Sequence, residues 1–481
     1  MAVVDVSALA PTAAGEPYSP EWWRGRLITR INLRLPVIDK IERYCNGEHN
    51  MAFATSKFRE AFGDLLKPLR DDWMQIVVEA ATERLKVEGF RFAGTDTKAD
   101  AAAWEIWQAN GLDARAGLGH DEAVKFGSAY AVVGAGESDD DPPRILVIPP
   151  SRAAVEHDPS APMHRLAGLH TWVDATGANR AMLWTPEGWW EWASASPGPT
   201  PSWELIDEGE NEIGVVPIVP LANRPTLSQP DGRSDVLPVM PMNDAINKLL
   251  ADLMVASEFA AFRQRWATGV EIPTDPETGE QLDENTFIAG ISRLWTFEPN
   301  DKDEQQVQIG EFAATDLSNY VKPIELIVSH ISAQTRTPPH YLMGSIVNAS
   351  ADALRAAEAG LVSRVRAKML TFGEGWEETM RIAFALKGDD RRSAATACEA
   401  IWRDPETRTE GERVDAITKL QTVGVPQEAL WARIPGVSPQ EIERWRVMRD
   451  QDAVAAGLTL GRTTNGAAVE PDAPPAPAPT P

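Results

Sequence analysis

Hydrophobic and polar residues along this chain switch between a helical and a strand period, and the switches divide it. From Trp22 to about Asn110 the pattern is mostly helical: Leu65, Leu69, Trp73, Ile76, Val77 and Ala80 return every three or four residues, which puts them on one helix face. Residues 101–109 (AAAWEIWQA) predict another helix and 120–126 a third. The period then shortens. RILVIP (144–149), RLAGLHTWV (165–173), RAMLW (180–184) and GWWEWA (188–193) read as short strands. Turn residues at 174–177 and 186–188 separate the later ones, as in an antiparallel meander. Alternation in the last of these buries some of Trp189, Trp190 and Trp192, which makes them core residues before any stacking platform.

After Pro225 the helical period returns. A helix is predicted over 239–267, with Ile246, Leu249, Leu250, Leu253, Phe259 and Phe262. A second covers 315–336, with Tyr320, Ile324, Ile327, Val328 and Ile331 on one face. A third runs from Ala351 to about Lys387; at about 1.5 Å per residue it would be roughly 55 Å long. Gly360, Gly373 and Gly375 are the places where it would kink. Between the first two helices lies an interruption, Gly269 to Ala313, with Pro273, Pro276, Gly279 and short strand patterns. It holds eleven acidic residues against Arg293 and Lys302. Between the second and third helices lies TPPHYLMGSIVNAS (337–350). Shorter helices with Pro at their starts follow over 401–455, then a Pro/Ala-rich tail with no means of packing.

Composition narrows the function. The 481 residues, 43% of them hydrophobic, are enough for a large core and more than one domain. No apolar run approaches the roughly 20 residues of a membrane span. The first 20 residues lack the basic and apolar regions of a secretory signal, and the two cysteines, Cys45 and Cys398, suit a reducing cytosol. Net charge is −25, the opposite of the basic footprint that grips nucleic acid. Solubility explains such a surface, and so does a need to lie near DNA without holding it. No phosphate loop, nucleophile elbow, paired zinc-protease histidines or dinucleotide-binding turn occurs. Cys45 and His49 share a helical spacing, but no second ligand pair lies nearby; a partly buried cysteine beside a surface histidine is the expectation. No cofactor and no catalytic residue is predicted.

The order of elements carries more than any single motif. RYCNGEHN (43–50), HDEAVKFGSAYAVVG (120–134) with Gly127 and Tyr130, and GVVPIVPLANRP (214–225) come first. GRSDVLPVMPMNDAINKLLADLM (232–254) follows, with Ser234, Asp235, Asn243, Asp244 and Asn247, and then TPPHYLMG (337–344). In this order, over roughly residues 20–450, the chain resembles the portal proteins of tailed bacteriophages, of the siphophage type. The resemblance implies an α+β, mainly α fold: a loose N-terminus (1–19), a wing (20–233) and a first stem helix (234–268). A clip (269–313), a second stem helix (314–337), a tunnel loop (338–349), a long wing helix with its return (350–400), a crown-like region (401–455) and a disordered tail (456–481) would follow.

It also implies a homododecameric ring at one capsid vertex of the virion, assembled in the host cytoplasm, through which double-stranded DNA is packaged and ejected. Terminase, head–tail connector or adaptor proteins, and major capsid and scaffold proteins are the implied partners. The segment 338–349 carries no Asp, Glu, Lys or Arg in a chain that is 24% charged. His340, Tyr341, Ser345 and Asn348 are therefore the expected contacts to DNA. Another virion head–tail or minor capsid protein is the alternative, and an all-helical enzyme a more distant one.

Overall fold

Long apolar runs and strictly alternating ones fold differently here, and the contrast builds the architecture. The computed structural model describes residues 15–49, 60, 71–92, 99–138, 140–194, 202–261, 265–268, 308–312, 316–344, 350–406, 410–431, 434, 437 and 439–464. Helix α1 (Pro20–Cys45) starts where the Ser19 side chain accepts from the Trp22 amide. Helices α2 (Met74–Thr82), α3 (Ala101–Ala109) and α4 (Leu112–Phe126) follow, with strand β1 (Val87–Arg91) between α2 and α3. Strands β2 (Ser128–Gly134), β3 (Arg144–Ile148) and β9 (Ile218–Ala222) form one antiparallel sheet in the order β3-β2-β9. Strands β4 (Ala153–Asp158), β5 (Ala161–Val173), β6 (Asn179–Trp184), β7 (Gly188–Ser194) and β8 (Glu204–Glu210) form an antiparallel meander, each paired with the next. It differs from the expected one in holding β4 and β8, which the pattern did not predict, in place of β3, which pairs with β2.

The layers explain the patterns. One face of the meander packs Leu169, Ala181, Leu183 and Trp192 on Trp23, Leu27 and Ile31 of α1. Its other face sets Ala153 and Val155 against Tyr130, Val132, Ile148 and Ile218 of the smaller sheet. The opposite side of β2 buries Ala129, Ala131 and Val133 in the main helical core. Covered on both faces, β2 has no polar alternation, so periodicity alone does not reveal it. Arg30 extends from α1 to the Val155 carbonyl at 2.8 Å and pairs with Glu156 and Asp231, fastening the helix along β4.

The second half supplies the longest elements. Helix α5 (Met240–Ala261) leads into strand β10 (Arg265–Thr268), which pairs antiparallel with β11 (Gln308–Glu311) before helix α6 (Ser318–Thr335). A short helix α7 (Pro339–Met343) precedes α8 (Ala351–Leu386), 36 residues long. Leu361, Val365, Phe372, Trp376, Met380 and Ala383 of α8 are buried in the main core. A Cβ on Gly375 would stand 2.7 Å from Leu221 Cδ2 and 3.1 Å from the Pro220 carbonyl, so glycine there lets α8 close onto β9. After α9 (Asp390–Ser393), strand β12 (Glu399–Trp402) pairs with β1, and α10 (Glu410–Thr422), α11 (Gln427–Trp431) and α12 (Pro439–Thr464) end the described chain.

Several expectations change. The first helical stretch is interrupted by β1, whose partner lies some 300 residues away and leaves no local signal. The 120–126 helix starts earlier, at Leu112, after the left-handed Gly111. The 239–267 helix stops at Ala261, and its last residues are strand β10. Helix α12 continues to Thr464, into the 456–481 segment expected to be tail. Leu65 and Leu69, and most of the expected clip, lie outside the described residues.

Candidate functional site

The passage from α6 to α8 begins where Arg336 takes a left-handed φ of 53° and ends α6. Pro338 is extended and Pro339 opens α7, since proline suits a first helical residue. Gly344, at φ 63°, closes α7. Beyond the loop the Ser350 side chain accepts from the Ala353 amide at 3.2 Å and caps α8. His340 and Tyr341 thus sit on α7, while Ser345 and Asn348 lie outside the described residues. The two described residues meet side chains of their own subunit. Arg84 donates to the Tyr341 hydroxyl at 2.7 Å, and His340 Nε2 stands 4.0 Å from Glu358 on α8. Both are half-buried, and Leu342, which follows them, is buried in the core.

A buried ion cluster holds the helices on either side of this passage. Asp235 Oδ2 accepts from Arg364 Nη2 at 2.7 Å and from Lys368 Nζ at 2.7 Å. Its Oδ1 accepts from Asn223 at 3.1 Å and Arg224 at 3.2 Å. Arg364 also donates to the carbonyls of Thr335, at the end of α6, and Val77, on α2. Lys368 is 1% exposed and donates to the Asn223 side chain as well. Burial works against both charges, and the two cations hold the Asp235 carboxyl well below its ordinary range. Desolvation draws the Lys368 ammonium down, against Asp235, which raises it. Paired charges with several hydrogen bonds each are how such groups persist away from water. Behind the cluster, a Cβ on Gly232 (φ 87°) would fall 2.2 Å from the Gly127 carbonyl, which reserves that turn for glycine.

A second polar seam joins the early and late halves. The Tyr44 hydroxyl donates to Asp244 at 2.7 Å, and His49 stacks on Tyr44 at 4.4 Å and lies 3.4 Å from Asn243. Asn247 accepts from the Asp71 amide at 2.8 Å and donates to the Asp71 carbonyl at 3.0 Å. The segments 43–50 and 232–254, 200 residues apart, therefore meet through Tyr44, His49, Asn243 and Asp244. His49 is buried, not on the surface as expected, because its ring completes this seam. Burial pushes the Cys45 thiol up to about 12. Among the described residues no group of three or more His, Cys, Asp or Glu could hold a metal ion.

Sequence reasoning picked out Asp235, Asn243, Asp244 and Asn247 but missed Arg364, Lys368 and Arg84. A signal for the first two existed: they stand at helical spacing among Leu361, Val365 and Phe372, charged positions on an otherwise apolar face.

Comparison with known proteins gives a consistent answer. The family model described as "Phage portal protein, SPP1 Gp6-like" matches residues 24–455. The portal protein of Mycobacterium phage L5 is 36% identical over 425 residues, covering 84% of this chain and 83% of the relative. That of Mycobacterium phage D29 is 35% identical over 406 residues, with 80% of each chain covered. Among solved structures, a chain from the virion of a native gene transfer agent particle aligns with TM-score 0.41 at 14% identity, covering 83% of this chain and 96% of that one. One from the neck of an empty particle aligns with TM-score 0.42 at 14% identity, covering 74% and 86%. With the family model spanning most of its length, this chain belongs to the SPP1 Gp6-like family of phage portal proteins.

Proposed function

We propose that this protein is the portal subunit of a tailed phage, copies of which close into a ring at one capsid vertex and form the channel for DNA packaging and ejection. Family membership over residues 24–455 carries the reading. The parts follow from the order of elements. Helices α5 and α6, packed on each other, are the stem. The acidic segment between β10 and β11 is the clip, which meets terminase during packaging and connector proteins afterwards. It leaves and re-enters through two paired strands, which sets its ends side by side. The remaining N-terminal layers and α8 are the wing, and α10 to α12 the crown. A dodecamer is the proposed stoichiometry, with capsid and scaffold proteins as the outer partners. The role is structural and no catalysis is assigned.

The loop after α7 is proposed to face the channel. Its described base, His340 and Tyr341, is held by Glu358 and Arg84, so the uncharged residues Ser345 and Asn348 are the nearer DNA contacts. Small polar groups touch phosphates without forming the ion pairs that would stall a sliding duplex. Cysteine at Ser345 is expected to crosslink to packaged DNA, or around the ring, more readily than cysteine at Ser329 on the exposed side of α6. Negative-stain images of the same preparation should show rings with a central hole. Monomers in the images would overturn the portal reading. Equal labelling of both cysteines by a reagent too bulky for the channel would overturn the loop assignment alone.

A further inference from the structure

Arg84 lies just beyond the end of α2 with its side chain 9% exposed, and its single guanidinium meets three separate parts of the chain. Nη2 donates to the Tyr341 hydroxyl at 2.7 Å and lies 3.5 Å from Glu358 Oε1. Nη1 donates to the backbone carbonyl of Pro405 at 3.0 Å. Tyr341 stands three residues before Gly344, on the near side of the loop; Glu358 is on α8, on its far side. Pro405 lies in the passage from β12 to the C-terminal helices. The same passage is fastened to α8 by Arg366, which donates to Glu406 at 2.7 Å. A planar guanidinium offers donors in fixed, divergent directions, so one group can satisfy acceptors on two segments. A lysine ammonium on a flexible stem cannot hold that geometry.

We infer that Arg84 is a positioning residue: it ties helices α7 and α8 to the passage into the C-terminal helices, and each holds the other in place. The consequence for DNA contact rests on the tunnel-loop reading; the coupling itself does not. The hydroxyl of Tyr341 is then more than a local bond. It orients a guanidinium whose other arm closes on Pro405, so its removal is felt at a segment with which it shares no chain neighbour.

Hydrogen exchange of the full-length assembled protein tests this with Tyr341→Phe, which removes one oxygen and keeps the ring. Protected amides exist at both places: that of Gly344 donates to the His340 carbonyl, and that of Arg403 to Lys86. Exchange is expected to quicken by roughly fivefold at 341–344 and at 400–404 together, the effect of losing one typical hydrogen bond. Amides of the meander, 161–194, should not change. Arg84→Lys is expected to give the same pattern, because the charge beside Glu358 remains while the fork is lost. Acceleration at 341–344 alone in Tyr341→Phe would overturn the proposal, as would no change at either place. If coupled acceleration is found but cysteine at Ser345 never reaches DNA, the loop assignment falls and the positioning role of Arg84 stands.

Discussion

His120 shows how much one buried ring can decide. It is stacked on Phe372 at 5.2 Å and accepts from the Trp376 indole N–H at 2.9 Å. Burial lowers its pKa from 6.5 to about 4. The unfolded chain therefore takes up a proton between pH 6.5 and about 4 while the folded chain does not. The stabilising contribution is complete above pH 6.5 and is lost as pH falls toward 4; for a fully buried group that is about 3 kcal/mol. His170, lowered to about 4 by burial and Arg152, adds in the same direction. Denaturant titrations at pH 7, 6, 5 and 4.5 should show stability falling through this window. His120→Gln should lower stability at pH 7 and flatten that slope, so that the difference from the wild type narrows toward pH 4.5. An unchanged slope in the variant would show that His120 stays neutral in neither state or both.

Between elements, the Asp235 cluster is the tie to test. Arg364 joins α8 to the end of α6, to α2 and to the turn before α5. Arg364→Met keeps length and apolar contact but leaves a buried carboxylate with one fewer cation, so urea unfolding should report a loss of about 3–5 kcal/mol. Arg366→Met, two residues along on the exposed face, should cost under about 1 kcal/mol. Similar losses from both would mean that the cluster does not hold the helices. The sequence period found the helices well, since α5, α6 and α8 each present an apolar face of three- and four-residue spacing. The strand period found β3 and the middle of the meander, β5 to β7, but not its outer strands β4 and β8. It missed β2 and β9, covered on both faces, and β1 and β12, whose pairing is non-local. The candidate site was legible in the same uneven way. Asp235, Asn243, Asp244 and Asn247 stood together in sequence, whereas their partners Arg364, Lys368 and Tyr44 arrive from elsewhere, and Arg84 carries no local sign of its three contacts.

At the scale of the whole molecule, the subunit keeps apolar residues on open faces: Leu33 and Val37 on α1, Val321 and Leu326 on α6, and Leu370 on α8, which is 74% exposed. A ring buries such faces between copies and leaves no terminal subunit with an uncovered one. Size-exclusion with light scattering should therefore find a species many times 52.6 kDa; a monomer at high concentration would contradict it. The pairing of β1 with β12 has a different consequence, one of timing. Strand β1 is made early, but its partner spans Glu399–Trp402, so at about 5–20 residues per second the ribosome delivers that partner roughly 15–60 s later. Until then Phe90 and its neighbours have no lasting cover on that edge, and the core cannot close around α8. Synthesis itself thus acts as a clock: the edge beside β1 stays open until the ribosome has passed Trp402, and no part of the chain made earlier can close it.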